Sequence, residues 1–188
     1  MIFRETRIAG ALVIEPEKHV DDRGSFARIW CARELADRGV DARLAQGSIS
    51  SNPRRGTLRG LHYSVAPRAE AKLVRCVRGS VYDVLVDVRP TSPTHRQWHA
   101  ETLTADNGFA MYAPEGVAHG FLTLEDSTDL LYLISEFYDP SCARGVRWND
   151  PAFAVAWPVD APILSERDRE YPDYPPGGGS PGAGRGKS

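Results

Sequence analysis

The chain has 188 residues, of which 41% are hydrophobic and four are tryptophan, and this size and composition fit one folded domain with a buried core. Its 23 basic and 25 acidic residues are interspersed and give a formal net charge of -2, so no basic face indicates binding to nucleic acid or to a membrane surface. Composition and charge therefore favour a small, discrete ligand.

The cysteines are odd in number and show no CxxC spacing, which argues against a disulfide framework and a zinc site. They are Cys31, Cys76 and Cys142. The apolar run 8–14 is short, follows charged residues and precedes the acidic segment 15–17, which is not the pattern of a secretory signal. No apolar segment approaches the length of a membrane span. We therefore predict a cytoplasmic protein with three reduced thiols.

Short β-branched runs, separated by Gly, Pro, Asn and Asp, predict a mainly all-β protein. One segment, 32–38, is predicted to be helical, with Gly39 placed to end the helix. The predicted strands, in chain order, are 12–14, 71–77, 80–89, 98–103, 108–113, 119–124 and 128–138. Many short strands of this kind predict a sandwich, a jelly roll or a barrel.

Two of the predicted strands show which residues share a face. In 81–88 the even positions are apolar or aromatic and the odd positions include Asp83 and Asp87, which predicts a half-buried strand. In 129–138 a period of two places Tyr132 and Tyr138 on one face. A single tyrosine in such a place would simply be expected to pack inside a barrel.

The end of the chain differs in composition from the rest. Residues 175–188 are rich in Gly and Pro and have nothing to bury, so this tail is predicted to be disordered. No internal repeat with the period of a solenoid or propeller is present. Residues 1–174 are therefore predicted to form a single domain.

His62 lies between two bulky apolar residues, so on a strand its side chain points away from theirs. Taken alone, such a histidine is more often a hydrogen-bonded structural residue than a catalyst. Arg59, Lys72, His119 and Tyr132 lie in or beside strands of the same small domain. A barrel would bring them together with His62.

A turn with Pro and Gly precedes His119, and the P-x-G-x-x-H spacing resembles the second motif of the cupin superfamily. Many cupins hold a metal, which needs several imidazole or carboxylate ligands. The first cupin metal motif would require a histidine two residues after His62, where this chain has Ser64. We therefore predict no metal and no cofactor.

A series of segments, taken together, resembles the dTDP-4-dehydrorhamnose 3,5-epimerase family. They occur in that family's order and cover roughly residues 1–170. One such motif would be a weak signal, whereas the series is a strong one. The segments are 22–26, 58–63, 71–74, 83–89 with 92–94, 114–121, 148–151 and 164–168.

The resemblance implies a cupin jelly-roll β-barrel with one or a few short helices, in a homodimer whose subunits exchange strands. It implies a nucleotide-linked 4-keto-6-deoxyhexose as substrate, as in deoxysugar and dTDP-rhamnose biosynthesis. A proton next to the ketone would be removed at C3, C5 or both, and a proton would return from the opposite face. This reaction requires a base, an acid across the sugar ring and a cation for the enolate oxygen.

The resemblance also implies a role for each of four catalytic residues. His62 would be the base, and Asp168 would orient its ring and stabilise its cation. Lys72 would place its charge near the C4 oxygen, and Tyr132 would donate the proton on the other face. The implied substrate-binding residues, of which the first two are expected to reach across the dimer, are Arg23, Phe26, Gln46, Arg59, His119, Tyr138 and Arg167.

Three positions depart from the family pattern. Arg28 and Ala143 each occupy a position that is usually Glu, and Ser48 ends a segment that is usually Gln-Asp-Asn. All three are ligand-binding positions away from the proton-transfer centre. If Arg28 points into the cleft, its reversed charge and the lost hydrogen-bond partners predict altered recognition of the nucleotide or the sugar.

Two other functions are alternatives at this point. A nucleotide-sugar 3,4-ketoisomerase on the same barrel would also need a histidine base but would make less use of Tyr132 and Lys72. A non-catalytic sugar-binding cupin has no need of a base and an acid on opposite sides of a ligand. The motif series favours the epimerase over both.

Overall fold

The structure is a computed structural model that describes residues 1–175. The predicted tail lies outside the described residues, apart from Pro175, and its disorder stays a prediction. No helix in the described part of the chain is long and apolar enough to cross a membrane.

Residues 1–175 are mainly β, with thirteen strands and two short helices. The strands are β1 (Ile2–Glu5), β2 (Leu12–Glu15), β3 (Lys18–Asp21), β4 (Gly24–Ala27), β5 (Gln46–Asn52), β6 (Leu58–Ser64), β7 (Lys72–Arg78), β8 (Ser80–Asp87), β9 (Trp98–Thr104), β10 (Ala110–Ala113), β11 (Val117–Thr123), β12 (Thr128–Ile134) and β13 (Ala143–Gly145). The helices are α1 (Ala32–Ala36) and α2 (Glu166–Arg169).

Two antiparallel sheets form the walls of the barrel. The six-stranded sheet has the order β1-β2-β10-β7-β12-β5, and the five-stranded sheet has the order β13-β6-β11-β8-β9. The strands β3 and β4 form a separate hairpin. The predicted fold, a mainly β jelly-roll barrel with a few short helices, is confirmed.

Apolar side chains from both sheets fill the space between them. Val74, Met111 and Leu130 of the six-stranded sheet share a cluster with Leu85 and Phe121 of the five-stranded sheet. Each of the five is at most 1% exposed. Full burial of such a side chain contributes about 1.5–3 kcal/mol, so this layer holds the two walls of the barrel in place.

The strand β8 is buried on both faces, so the prediction of a half-buried strand was wrong. Only Tyr82 among its residues is more than marginally exposed. The face that carries Asp83, which was expected to meet solvent, lies inside the barrel, where Leu85 belongs to the cluster between the two sheets. The apolar face is covered by the C-terminal part of the chain, where Phe153 and Tyr174 pack in one cluster with Val84. This cover consists of residues far along the sequence, which the local alternation of β8 does not reveal.

Most predicted elements are present within a few residues of their expected bounds. The predicted strands correspond to β2 and to β7 through β12, and the predicted helix corresponds to α1. The exception is the end of β12, which stops at Ile134, so Tyr138 is not part of that strand. Beyond this point the chain turns toward β5, where the N–H of Tyr138 donates to Oε1 of Gln46 at 2.7 Å.

Candidate active site

A cleft of about 750 Å³ is lined by residues of both sheets and of α2. Its size falls in the range typical of sites for small organic ligands. The cleft brings together eight of the residues predicted from the sequence. They are Arg59, His62, Lys72, His119, Tyr132, Tyr138, Arg167 and Asp168.

Three predicted residues do not line this cleft. Arg23 and Phe26 belong to the hairpin of β3 and β4, where Arg23 pairs with Asp21 and Phe26 is 78% exposed. Gln46 is the first residue of β5, and its side chain accepts the hydrogen bond from the backbone of Tyr138. Gln46 therefore contacts the cleft residues Tyr138 and Ile134 without lining the cleft itself.

The three positions that depart from the family pattern have different surroundings. Arg28 is 63% exposed and donates to Glu34 of α1 at 2.8 Å, because the chain after β4 runs toward that helix. It does not line the cleft of its own chain. Because Arg28 does not point into this cleft, it gives no support for altered recognition of the nucleotide or the sugar. Ser48 and Ala143 do line the cleft.

His62 on β6 and Asp168 on α2 form a close polar pair in the cleft, with Nε2 of His62 2.6 Å from Oδ1 of Asp168. Asp168 is 4% exposed. Burial raises the pKa of Asp168, but the hydrogen bond and charge of His62, together with hydrogen bonds to Gly60 and Ser165, outweigh burial and lower the pKa below its usual value. The carboxylate therefore stays ionised and can stabilise a charged imidazole ring.

The backbone around Asp168 is arranged to hold this carboxylate. Ser165 caps α2 by accepting the N–H of Asp168 at 3.1 Å, and the N–H of Gly60 donates to Oδ2 of Asp168 at 3.4 Å. Ser165 and Asp168 have the S-x-x-D spacing of a capping box, a signal in the sequence that indicates a helix start at this place. The helix α2 was not among the predicted elements.

Gly60 allows β6 to pass close to β11 just before His62. A Cβ at this position would lie 2.6 Å from Cα of Gly120, and the φ of Gly60 is +123°. Any other residue would push the two strands apart. Because His119 of β11 is the register partner of His62, this close approach also sets the separation of the two histidines.

Lys72 on β7 lies on the wall that faces His62. Its Nζ donates to the backbone carbonyl of His62 at 3.2 Å and pairs with Oε1 of Glu70 at 3.0 Å. An ammonium group has three N–H donors, so one is left for a ligand. Glu70 also lines the cleft, although it was not predicted, because a single Glu before a strand has no distinctive signal in the sequence.

The ring of Tyr132 on β12 packs in an edge-to-face contact with the ring of His119, which belongs to the opposite sheet; the ring centroids are 5.7 Å apart. Nε2 of His119 is 2.8 Å from Oδ2 of the buried Asp83. Burial and the charge of Asp83 raise the pKa of Tyr132 well above its usual value, while Arg59 acts in the opposite direction. The phenol of Tyr132 is therefore protonated at neutral pH and can donate a proton.

Three arginines in the cleft have no carboxylate oxygen within 4 Å among residues 1–175; they are Arg59, Arg144 and Arg167. Nε of Arg59 donates to Asn52 at 2.8 Å, and Nε of Arg167 donates to the hydroxyl of Tyr171 at 2.8 Å. Nη1 of Arg144 donates to two backbone carbonyls. Three uncompensated guanidinium groups favour an anionic ligand such as a diphosphate.

The histidines of the cleft are each joined to a separate carboxylate, His62 to Asp168 and His119 to Asp83. Among the described residues, no three His, Cys, Asp or Glu side chains are placed to hold a metal ion. Neither a metal nor a cofactor has an assigned role in this cleft, and their absence stays a prediction.

The family model for dTDP-4-dehydrorhamnose 3,5-epimerase matches residues 5–175. The chain belongs to this family. This epimerase family was the one predicted from the motif series, and the recognition is confirmed.

Relatives in the epimerase family cover nearly the whole chain. The dTDP-4-dehydrorhamnose 3,5-epimerase of Mycobacterium tuberculosis is 42% identical over an alignment of 181 residues that covers 93% of this chain and 88% of the relative. The dTDP-4-dehydrorhamnose 3-epimerase of Streptomyces niveus is 40% identical over an alignment of 171 residues that covers 90% of this chain and 82% of the relative.

The fold also matches solved structures of the family. The crystal structure of dTDP-4-dehydrorhamnose 3,5-epimerase from Bacillus anthracis, with TDP and PPi bound, superposes with a TM-score of 0.88 at 40% identity. The match covers 92% of this chain and 98% of that one. The sequence match and the structural match therefore both extend over most of the chain.

Proposed function

We propose that this protein inverts C3, C5 or both of a dTDP-linked 4-keto-6-deoxyhexose in deoxysugar biosynthesis. It is an isomerase by its family, whose members include 3,5-epimerases and a 3-epimerase. The observation that carries the proposal is the pair of His62 and Asp168 on one wall of the cleft, with Tyr132 on the facing wall. A sugar between these walls would meet a base on one side and an acid on the other.

In the first step His62 removes the proton next to the ketone. Because Nε2 points at Asp168, a neutral ring carries its proton on Nε2 and has the lone pair on Nδ1. Nδ1 takes the proton from carbon, and the electron pair of the broken C–H bond moves to the C4 oxygen as an enolate. Asp168 stabilises the imidazolium that results.

Lys72 stabilises the enolate. Its remaining N–H is available to the C4 oxygen, and its position is set by His62 and Glu70 before the substrate arrives. Such preorganised donors act most strongly where negative charge develops. Glu70 orients the ammonium group of Lys72 and leaves its third N–H donor for the ligand.

In the second step Tyr132 donates its hydroxyl proton to carbon on the opposite face. The enolate electrons return to form the new C–H bond, and the C4 ketone is restored. The positive charge of Arg59 acts to lower the pKa of Tyr132, so Arg59 partly stabilises the phenolate that forms. Solvent then returns a proton to Tyr132 and takes one from His62.

Arg59, Arg167 and His119 bind the nucleotide diphosphate in this proposal. The arginines are free of carboxylates in the described chain, and the planar guanidinium group can donate two parallel hydrogen bonds to phosphate oxygens. Asn52 is buried and also donates to two backbone carbonyls, so it presents a fixed partner to Arg59. Tyr138 contributes a ring to the same cleft.

We infer that the protein is a homodimer, as the family resemblance implies. The hairpin of β3 and β4 exposes Val20 and Phe26, at 75% and 78%. A second copy of this chain would bury both side chains and bring Arg23 and Phe26 to the partner's cleft. Phe26→Ser is expected to shift the protein toward monomer in light scattering after gel filtration. A wild-type protein that is monomeric at every concentration would contradict the inference.

The two alternative functions have less support. A 3,4-ketoisomerase would make less use of Lys72 and Tyr132, although both line the cleft and Lys72 is held in a defined position. A sugar-binding cupin without activity would not need His62 to be paired with the buried Asp168. A cytoplasmic location stays a prediction from the sequence.

The test is incubation of the protein with dTDP-4-keto-6-deoxyglucose in deuterated water. Mass spectrometry and NMR would count the deuterons gained at C3 and C5, with His62→Ala as the control. Label at both carbons is the result expected of a 3,5-epimerase, and label at one carbon indicates a 3- or 5-epimerase. Label no greater than in the His62→Ala control would overturn the proposed function.

A further inference from the structure

Tyr171 is a buried residue that has no role in the mechanism above. It follows α2 by two residues and is 4% exposed. It does not line the cleft, but it contacts two residues that do. Its hydroxyl accepts the hydrogen bond from Nε of Arg167 at 2.8 Å, and its ring meets the ring of His62 edge to face, with centroids 6.1 Å apart.

The ring of Tyr171 is fixed by the strand that passes over it. Gly145 of β13 is the register partner of His62 in β6. A Cβ at Gly145 would lie 2.2 Å from Cζ of Tyr171, so the ring occupies the space that a side chain would take. The ring cannot move toward β13, and it supports His62 from behind.

Arg167 interacts with two tyrosines, the buried Tyr171 and the exposed Tyr138, and only Tyr171 is fixed by packing around its ring. Arg167 belongs to the four-residue helix α2, and no carboxylate in residues 1–175 holds its guanidinium group. The guanidinium carbon lies 5.8 Å from the centre of the Tyr171 ring, which adds a cation–π contact to the hydrogen bond. The bond uses Nε and leaves the two terminal nitrogens for other partners.

We propose that Tyr171 is a positioning residue for the diphosphate: it holds Arg167 so that the terminal nitrogens face the ligand, and it supports the ring of His62. This inference rests on the proposed function. Holding a long side chain in its bound conformation before the ligand arrives reduces the entropy lost on binding. The hydroxyl of Tyr171 therefore acts on ligand affinity, and its ring acts on the base.

Two variants separate the hydroxyl from the ring. Tyr171→Phe removes only the hydrogen bond to Arg167, so the KM for the nucleotide sugar and the Kd for dTDP are expected to rise about 3- to 10-fold, with kcat within about twofold. Tyr171→Leu also removes the ring behind His62, so kcat is expected to fall about 10-fold in addition. Dissociation constants for dTDP would be measured by calorimetry.

Tyr174→Phe is the matched control. Tyr174 is also 4% exposed and lies in the same C-terminal segment, but its hydroxyl donates to the carbonyl of Val88 rather than to a cleft residue. Its substitution is expected to lower thermal stability and to leave KM, kcat and the dTDP Kd unchanged. A structural role alone would make the two Tyr→Phe variants behave alike.

A double-mutant cycle tests whether Tyr171 acts through Arg167. In an Arg167→Met background, Tyr171→Phe is expected to have no further effect on the dTDP Kd. Wild-type affinity in Tyr171→Phe, or an equal loss of affinity with and without Arg167, would overturn the inference. If the wild-type protein binds dTDP but shows no turnover, the proposed function fails, and the dTDP affinities still decide the role of Tyr171.

Discussion

His62 and Asp168 are separated by 106 residues in the sequence and by 2.6 Å in the structure. The pair joins the β6 strand of the five-stranded sheet to the α2 helix. Asp168 is buried and receives a second hydrogen bond, from the backbone of Gly60. The carboxylate is therefore held in one place and orients the imidazole ring of His62.

Asp168→Asn tests this pair. The amide has nearly the same shape, so the fold is expected to persist, but it cannot stabilise an imidazolium ion. We expect kcat for epimerisation to fall about 10²- to 10⁴-fold, with a small change in KM. Glu166→Gln, an exposed position on the same helix, is the control and is expected to retain wild-type rates. Turnover of Asp168→Asn close to that of wild type would contradict the role of Asp168.

Tyr132→Phe separates removal of the proton from its return on the opposite face. The base is intact in this variant, so His62 can remove a proton and return a deuteron to the same face. We expect deuterium to enter the sugar with retention of configuration, while inverted product falls about 10²-fold or more. NMR coupling constants distinguish the two configurations. Inversion at the wild-type rate would show that another group is the acid.

Arg59→Met is expected to weaken dTDP binding about 10-fold, because a charge-assisted hydrogen bond to phosphate is lost. Salt should also weaken binding of dTDP to the wild-type protein, and the dependence should be smaller in the variant. Calorimetric titration at several salt concentrations measures both effects. Arg55→Met, on the exposed turn before β6, is the control. Equal affinities of Arg59→Met and wild type would remove Arg59 from the ligand site.

Asp87 is expected to make the stability of the fold depend on pH. Burial raises its pKa, but hydrogen bonds from Arg89, Ser92 and Thr94 outweigh burial and lower the pKa to about 2 from 3.8. A carboxyl group whose pKa is lower in the folded chain than in the unfolded chain stabilises the fold at pH values above its pKa in the unfolded chain. This stabilisation, about 2 kcal/mol, is lost as the pH falls from about 4 to about 2.

Asp87→Asn should remove that dependence. We expect its free energy of unfolding to be about 2 kcal/mol lower than wild type at pH 7, with the difference shrinking toward pH 2. Urea unfolding at a series of pH values measures this. The exposed Asp106→Asn is the control and should follow wild type. A constant difference between Asp87→Asn and wild type at every pH would contradict the expectation.

Several parts of the site were predictable because their signals are local or are shared with a family. His62, Lys72 and Asp168 lie in the family motifs, Tyr132 lies in a predicted strand, and all four line one cleft. The buried pattern of β7 and β11 follows from apolar and β-branched residues within each strand. Such signals depend on neighbouring residues in the sequence.

Other parts of the site had no such signal. The pairing of Glu70 with Lys72 depends on which way the chain enters β7, and the hydrogen bond from Arg59 to Asn52 depends on the path between β5 and β6. The sequence does not determine whether Arg28 points into the cleft, and only the course of the chain after β4 turns it to Glu34.

The sequence by itself therefore determined the strand-rich fold, the epimerase family and the residue types available for proton transfer. Only the tertiary structure decided which side chains meet: that β8 is covered on both faces, that Tyr138 lies beyond the end of β12, and that Tyr171 supports His62 and Arg167. The physical reason is that strand formation and residue chemistry are local properties. Burial, hydrogen-bond partners and charge environment depend on contacts between segments that are far apart in the chain.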